Sequence, residues 1–172
     1  MKNLVLISFS ILFLGGCASQ RGPMAMAAMQ PISGSAVQGV VHFQEMTNGE
    51  VEVRADLTGV PAGTHGFHVH EFGDCGDNGN AAGGHFNPMS APHAGPDSAS
   101  HHAGDFGNVT ADASGNVKVR FTTRSVKVTA GSTSSVGHAV ILHANSDDLT
   151  TQPTGNAGGR IACGVVTLSQ MP

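Results

Sequence analysis

Seven of the chain's ten histidines fall between His65 and His102. They sit among glycines and prolines, in Thr64-His65-Gly66-Phe67-His68-Val69-His70, Gly84-His85-Phe86-Asn87-Pro88, Pro92-His93-Ala94-Gly95-Pro96 and His101-His102-Ala103-Gly104-Asp105. An eighth, His143, closes the apolar run Ala139-Val140-Ile141-Leu142. Any fold of this chain has to find partners for these imidazoles, and such a density ending in an aspartate is the composition of a metal site.

The frame around the histidines reads as all-β. Short alternating segments at 37–43, 51–57, 65–72, 108–111, 117–121, 125–129, 137–143 and 161–168 are separated by turn signals such as Asn48-Gly49 and Ser114-Gly115-Asn116. That makes eight strands without a convincing helix, and the expected fold is an eight-stranded antiparallel Greek-key barrel or sandwich. Residues 74–105 and 144–159 do not fit the strand pattern. Structureless stretches of that length inside a compact domain are usually functional loops, and metal coordination would order the first of them.

The words at these positions go further. Gly-Phe-His-Val-His-Glu-Phe-Gly-Asp from Gly66, Gly-His-Phe-Asn-Pro from Gly84, His-Ala-Gly-Asp-Phe-Gly-Asn-Val-Thr-Ala-Asp from His102 and Gly-Asn-Ala-Gly-Gly-Arg-Ile-Ala-Cys-Gly-Val from Gly155 resemble copper,zinc superoxide dismutases, over about residues 36–168. His68 and His70, one residue apart on a strand, point to the same face about 6.5–7 Å apart at Cα. Alone a His-x-His is weak evidence, but with His85 and the remote His143 it gives a four-nitrogen set suited to Cu(II). His85, His93, His102 and Asp105 form a set of three imidazoles and a carboxylate with no obvious open position, as in a structural zinc site. The resemblance implies that His85 bridges one copper and one zinc per chain, and that the His-x-Gly-Asp word selects His102 over His101. It also implies that Asp147 links His68 to His93, and that Arg160 attracts the substrate anion at the mouth of the copper channel. His65 matches a structural position of the family, and His42 and His138 read as ordinary strand residues.

The N-terminus points to export. The apolar stretch 4–14 behind Lys2 is too short to cross a bilayer, which takes about 20 residues, and reads as a signal peptide. It ends in Leu14-Gly15-Gly16-Cys17, which resembles the lipobox of bacterial lipoproteins; an ordinary secretory signal cleaved nearby is the alternative. The expected organisation is a signal at 1–16, a lipidated Cys17 with a flexible tether to residue 35, and a domain from 36 to 172. Met24, Met26 and Met29 in that tether read as a spacer rather than as thioethers for Cu(I). Ser19 after Cys17 leans towards the outer membrane, by analogy with lipoproteins. With Cys17 acylated, Cys75 and Cys163 are an even pair in an oxidising compartment, and a disulfide is inferred. The formal net charge is −4, or −5 without Lys2, so no polybasic segment remains for nucleic acid or anionic lipid. Lys118, Arg120, Arg124 and Lys127, around a strand with Val117, Val119 and Phe121 alternating, read as a solvated outer face rather than a binding patch.

The reaction implied by the resemblance is disproportionation of superoxide to dioxygen and hydrogen peroxide, in the bacterial cell envelope, by a monomer or a homodimer. Between Asp147 and Gly159 this sequence carries no Lys or Glu, unlike eukaryotic members, so their charged steering residues are missing. Two other readings compete. A non-enzymatic copper- and zinc-binding envelope lipoprotein would be expected to lack a copper histidine or the arginine, and this chain keeps them all. A zinc hydrolase would need an open zinc position.

Overall fold

The computed structural model describes residues 21–169. The segment expected as a signal peptide, 1–16, and Cys17 lie outside the described residues. Eight strands follow in order: β1 Arg21–Pro31, β2 Gln38–Met46, β3 Val51–Thr58, β4 Gly63–His70, β5 Asp105–Ala111, β6 Val117–Thr123, β7 Ala139–His143 and β8 Arg160–Ser169. They pair antiparallel in the order β5-β4-β7-β8-β1-β2-β3-β6. The sheet curls into a nearly closed barrel, because its two end strands approach each other and the rings of Phe106 on β5 and Phe121 on β6 pack 5.4 Å apart across the seam.

The inside of the barrel follows from period-two alternation. In β3, Val51, Val53, Ala55 and Leu57 are buried while Arg54, Asp56 and Thr58 are exposed. Phe43, Phe67 and Phe106 meet in the core at centroid separations of 6.0–6.4 Å, and each buried ring contributes about 1.5–3 kcal/mol.

Strand β4 breaks the alternation of exposure, and that break positions the site. Phe67 and Val69 point into the core, yet the outward His68 and His70 are buried as well. Their cover comes from the two long segments expected as functional loops, 71–104 and 144–159. The first contains only a short 3-10 turn, Asp77–Ala82, and is tied to β8 by the Cys75–Cys163 disulfide.

Three expectations are corrected. The tether expected at 17–35 is largely β1: Arg21–Pro31 pairs with β2 and β8, and Ala25, Ala27 and Met29 are fully buried in the core. The domain therefore takes in Arg21–Pro31 ahead of residue 36, and Met29 is a core side chain. Residues 125–129 are not a strand. Val126 and Val128 are buried as their alternation suggests, but the backbone amides of Val128 and Thr129 donate to the Glu45 carboxylate at 2.8 and 2.7 Å instead of to a neighbouring strand. His138 lies just before β7, not in it.

Candidate metal centre

β4 and β7 lie side by side, with His68 opposite Ile141 and His70 opposite Ala139, and His143 ends β7 at an irregularity in its pairing with β8. The bridge His70–His85 then brings the long loop back against the end of β4. His68, His70, His85 and His143 thereby offer one ring nitrogen each within 4.8 Å of one another. His85, His93, His102 and Asp105 form a second such group, also buried, and His85 belongs to both.

Hydrogen bonds on the outer sides of the rings fix which nitrogen faces inward. His68 Nε2 donates to Asp147 Oδ2 at 2.8 Å, His70 Nδ1 to the Gly83 carbonyl at 3.0 Å and His143 Nδ1 to the Gly158 carbonyl at 3.1 Å. A neutral imidazole has one N–H and one lone pair, so these bonds leave lone pairs on His68 Nδ1, His70 Nε2 and His143 Nε2. The last two face each other at 3.3 Å, while His68 Nδ1 and His85 Nε2 are buried without a hydrogen-bond partner among the described residues. Converging, dehydrated lone pairs are costly unless a cation accepts them. The group fits a nitrogen-ligated copper ion.

The second group closes around one oxygen. Asp105 Oδ1 lies 2.7, 3.1 and 3.2 Å from Nδ1 of His85, His93 and His102. Zinc arms of about 2.0–2.1 Å in a tetrahedron give ligand–ligand edges of roughly 3.3 Å, close to these separations. Asp105 Oδ2 accepts the backbone amides of His102 and Ala94 at 2.9 and 3.2 Å, which aims Oδ1 at the rings. Burial alone would raise the Asp105 pKa, but the His85 bond and the Ala94 amide hold it well below the usual carboxylate range.

A family model described as copper/zinc superoxide dismutase (SODC) matches residues 37–166. The chain belongs to the copper/zinc superoxide dismutase family. Among solved structures it is similar to the crystal structure of the clock protein EA4, at 35% identity over 86% of this chain and 96% of that one, with a TM-score of 0.77. Copper and zinc are the cofactors of this family, and the two histidine groups are suited to them.

Asp147 joins the two halves of this superoxide dismutase site, since its Oδ1 accepts from His93 Nε2 at 3.0 Å while Oδ2 accepts from His68. Gly155, at φ +67°, permits that approach: a Cβ there would sit 2.6 Å from His93 Nε2. Arg160, half-buried, pairs with His143 across β7 and β8. Its guanidinium donates to the Gly79 carbonyl and, at 2.6 Å, to the Gly83 carbonyl, the same oxygen that receives His70 Nδ1. Burial, and then the neighbouring His85 and His143, push His68 and His70 well below the ordinary histidine pKa, and burial brings His143 down to about 4. All three rings are neutral at pH 7.

Sequence reasoning missed the residues that hold this arrangement. Gln152 grips the backbone of His93, accepting its N–H at 2.9 Å and donating to its carbonyl at 2.7 Å. Asn108 does the same for Asp147, at 2.8 and 2.9 Å. Neither carries a signal in one sequence, although Asn108 lies in a quoted motif. His101 stays outside both groups, its Nδ1 on the His102 carbonyl at 2.7 Å, and His65 ties the end of β7 to Pro61 through carbonyls at 2.8 Å. A 710 Å³ depression lined by Phe106, Phe121 and Arg124 lies over the barrel seam and includes no residue of either metal group.

Proposed function

We propose that this chain dismutates superoxide, binding one copper at His68, His70, His85 and His143 and one zinc at His85, His93, His102 and Asp105. The observation that carries the reading is the placement of His85: Nδ1 is 2.7 Å from Asp105 Oδ1, and Nε2 is buried and unpartnered on the side of the other histidines. The chemistry supplied by bound copper is one-electron exchange, with one superoxide oxidised to dioxygen and a second reduced, with two protons, to hydrogen peroxide. His85 Nε2 is the atom that can take up a proton on the copper side while Nδ1 stays in the zinc group. Asp147 and the Gly83 and Gly158 carbonyls keep the remaining rings in the tautomer that leaves their lone pairs inward. Arg160 spends two N–H groups on Gly79 and Gly83, and the rest of its fork is left to receive an anion beside the copper group.

The same reading places the protein in the bacterial envelope, lipid-anchored through Cys17 and facing the periplasm, where it removes superoxide formed outside the cytoplasm. The apolar leader, Leu14-Gly15-Gly16-Cys17, and the Cys75–Cys163 disulfide support this. The test is a dismutation assay with metal analysis on the same sample, on wild type and Arg160→Ala. Two unit charges near a protein surface interact by about 4 kcal/mol at 4 Å before screening, so a net 1–2 kcal/mol, about five- to thirtyfold in rate, is expected with both metals retained. Added salt should slow wild type more than the variant. Both metals bound with no dismutation would instead identify a metal-binding lipoprotein.

A further inference from the structure

The start of β1 shortens the tether that the sequence left long. If Cys17 carries the lipid, four residue steps lead to Arg21, and they span at most about 14 Å. The barrel surface around Arg21 is then held at the level of the lipid headgroups.

That surface is cationic. Arg21, Arg54 and Arg120 line one depression on the outer face of the sheet, with His42 and Glu52 beside them. Arg54 stands opposite Arg120 on β6 and opposite His42 on β2, and Arg21 pairs with Met46 next to the β2–β3 turn. Arg124 and Lys127 reach the same turn, donating to the carbonyls of Asn48 and Gly49. The acidic side chains of β2, β3 and the turn between them are engaged, and Asp97 faces the depression that Arg124 lines. Glu45 is held by the Val128 and Thr129 amides, Glu50 and Glu52 pair with Arg124 and Arg120, and Arg54 has Asp56 at 3.7 Å. Arg21 and Lys127 have no carboxylate within 4.0 Å among the described residues. Charge is segregated over the whole barrel. Residues 21–58 and 117–136 hold six Lys or Arg against four Asp or Glu, while 59–116 and 137–169 hold one against eight.

Arg160 and His143 lie towards the other end of the sheet. β1 runs for ten steps, about 33 Å, from Arg21 to Pro31, which pairs with Ala162 near Arg160. Around the nearly closed barrel the histidines of β4 and β7 are separated from β2 by β8 and β1 on one side, and from β3 by β5 and β6 on the other.

We propose that the face bearing Arg21, Arg54, Arg120, Arg124 and Lys127 docks on an anionic phospholipid surface, turning Arg160 and the copper group towards the bulk. This rests on the reading of Cys17 as the lipid anchor. The orientation matters for an anionic substrate. The repulsive field of an anionic membrane decays over about 8 Å at physiological salt, and Arg160, about 30 Å along the barrel, stands beyond it.

The test uses the mature, metal-loaded protein on vesicles of phosphatidylcholine alone or with phosphatidylglycerol. The mass of the N-terminal peptide reports acylation of Cys17, and phenylglyoxal labelling resolved by peptide reports each arginine. With phosphatidylglycerol, labelling of Arg21, Arg54, Arg120 and Arg124 should slow by at least about fivefold and recover in high salt. Arg160 should label at an unchanged rate, and dismutation should run equally on both vesicles. Arg54→Gln with Arg120→Gln should relieve the protection of Arg21 and Arg124. Acylated Cys17 without arginine protection, or equal protection on neutral vesicles, overturns the docking and leaves the anchor standing. Protection of Arg160, or slower dismutation on phosphatidylglycerol, overturns the orientation. An unacylated Cys17 overturns the anchor and the docking with it.

Discussion

Replacing Gln152 with alanine should weaken zinc binding without touching a zinc ligand. The Gln152 side chain makes two hydrogen bonds of 2.9 and 2.7 Å to the backbone of His93, and His93 supplies Nδ1 to the zinc group and Nε2 to Asp147. Each bond is worth about 1 kcal/mol net. If the full 2 kcal/mol or so serves to hold His93 in its ligating position, the zinc Kd rises by up to about thirtyfold. The Glu variant refines the test, because a carboxylate still accepts the His93 N–H but cannot donate to its carbonyl. Its loss should fall between those of wild type and Gln152→Ala. The assay is competition with a chelator of known zinc affinity, run beside copper affinity and thermal unfolding. Copper binding should change less, since Gln152 makes its hydrogen bonds to His93 and Thr150 and, among the described residues, none to the copper group. Unchanged zinc affinity with a lowered melting temperature would refute the reasoning, making Gln152 a loop staple with no purchase on the metal.

Cys75→Ser should lower stability by at most about 4–5 kcal/mol in the chain-entropy treatment of the lost cross-link. It should also lower dismutation per bound copper, because Gly79 and Gly83, whose carbonyls hold Arg160, lie in the loop that Cys75 ties to β8; denaturant titration and an assay at equal copper content check both, and full activity per copper would contradict the link. Metal-free protein should lose stability as pH falls from about 6.5, the unfolded histidine value, towards about 4, the folded value for His143, with His68 and His70 acting in the same direction. The unfolded chain binds more protons throughout that window, so stability falls with pH, by up to about 1.4 kcal/mol per pH unit for each ring. A melting temperature that stays flat between neutrality and the lower end of the window would contradict the buried, neutral state of these rings.

The parts of this fold that could be read from sequence were those in which side-chain chemistry alternates. β3 shows apolar residues inward and charges outward, so its limits were found within a residue. β1 was missed because both of its faces are apolar or small: Met24, Met26 and Ala28 flank the buried Ala25, Ala27 and Met29, with prolines at positions 23 and 31. Residues 125–129 misled for the converse reason. They alternate and bury Val126 and Val128, but a buried carboxylate from β2, invisible at that range in sequence, takes their amides. The two groups that could hold metals were legible because imidazoles clustered in words of fixed spacing. What positions them was not, since backbone carbonyls such as Gly83 and the amide side chains Gln152 and Asn108 carry no periodicity and act across 39 to 77 residues of chain.

The shared ligand is the centre of this account, and copper spectroscopy with and without zinc tests it most directly. Copper should be recorded in the fully loaded protein, in protein loaded with copper alone, and in His85→Ala loaded with both ions. With Nε2 of His85 in the copper group and Nδ1 in the zinc group, removing zinc should change the copper spectrum of wild type, and His85→Ala should abolish that dependence. A wild-type copper spectrum indifferent to zinc, or one unchanged by His85→Ala, would contradict a common ligand.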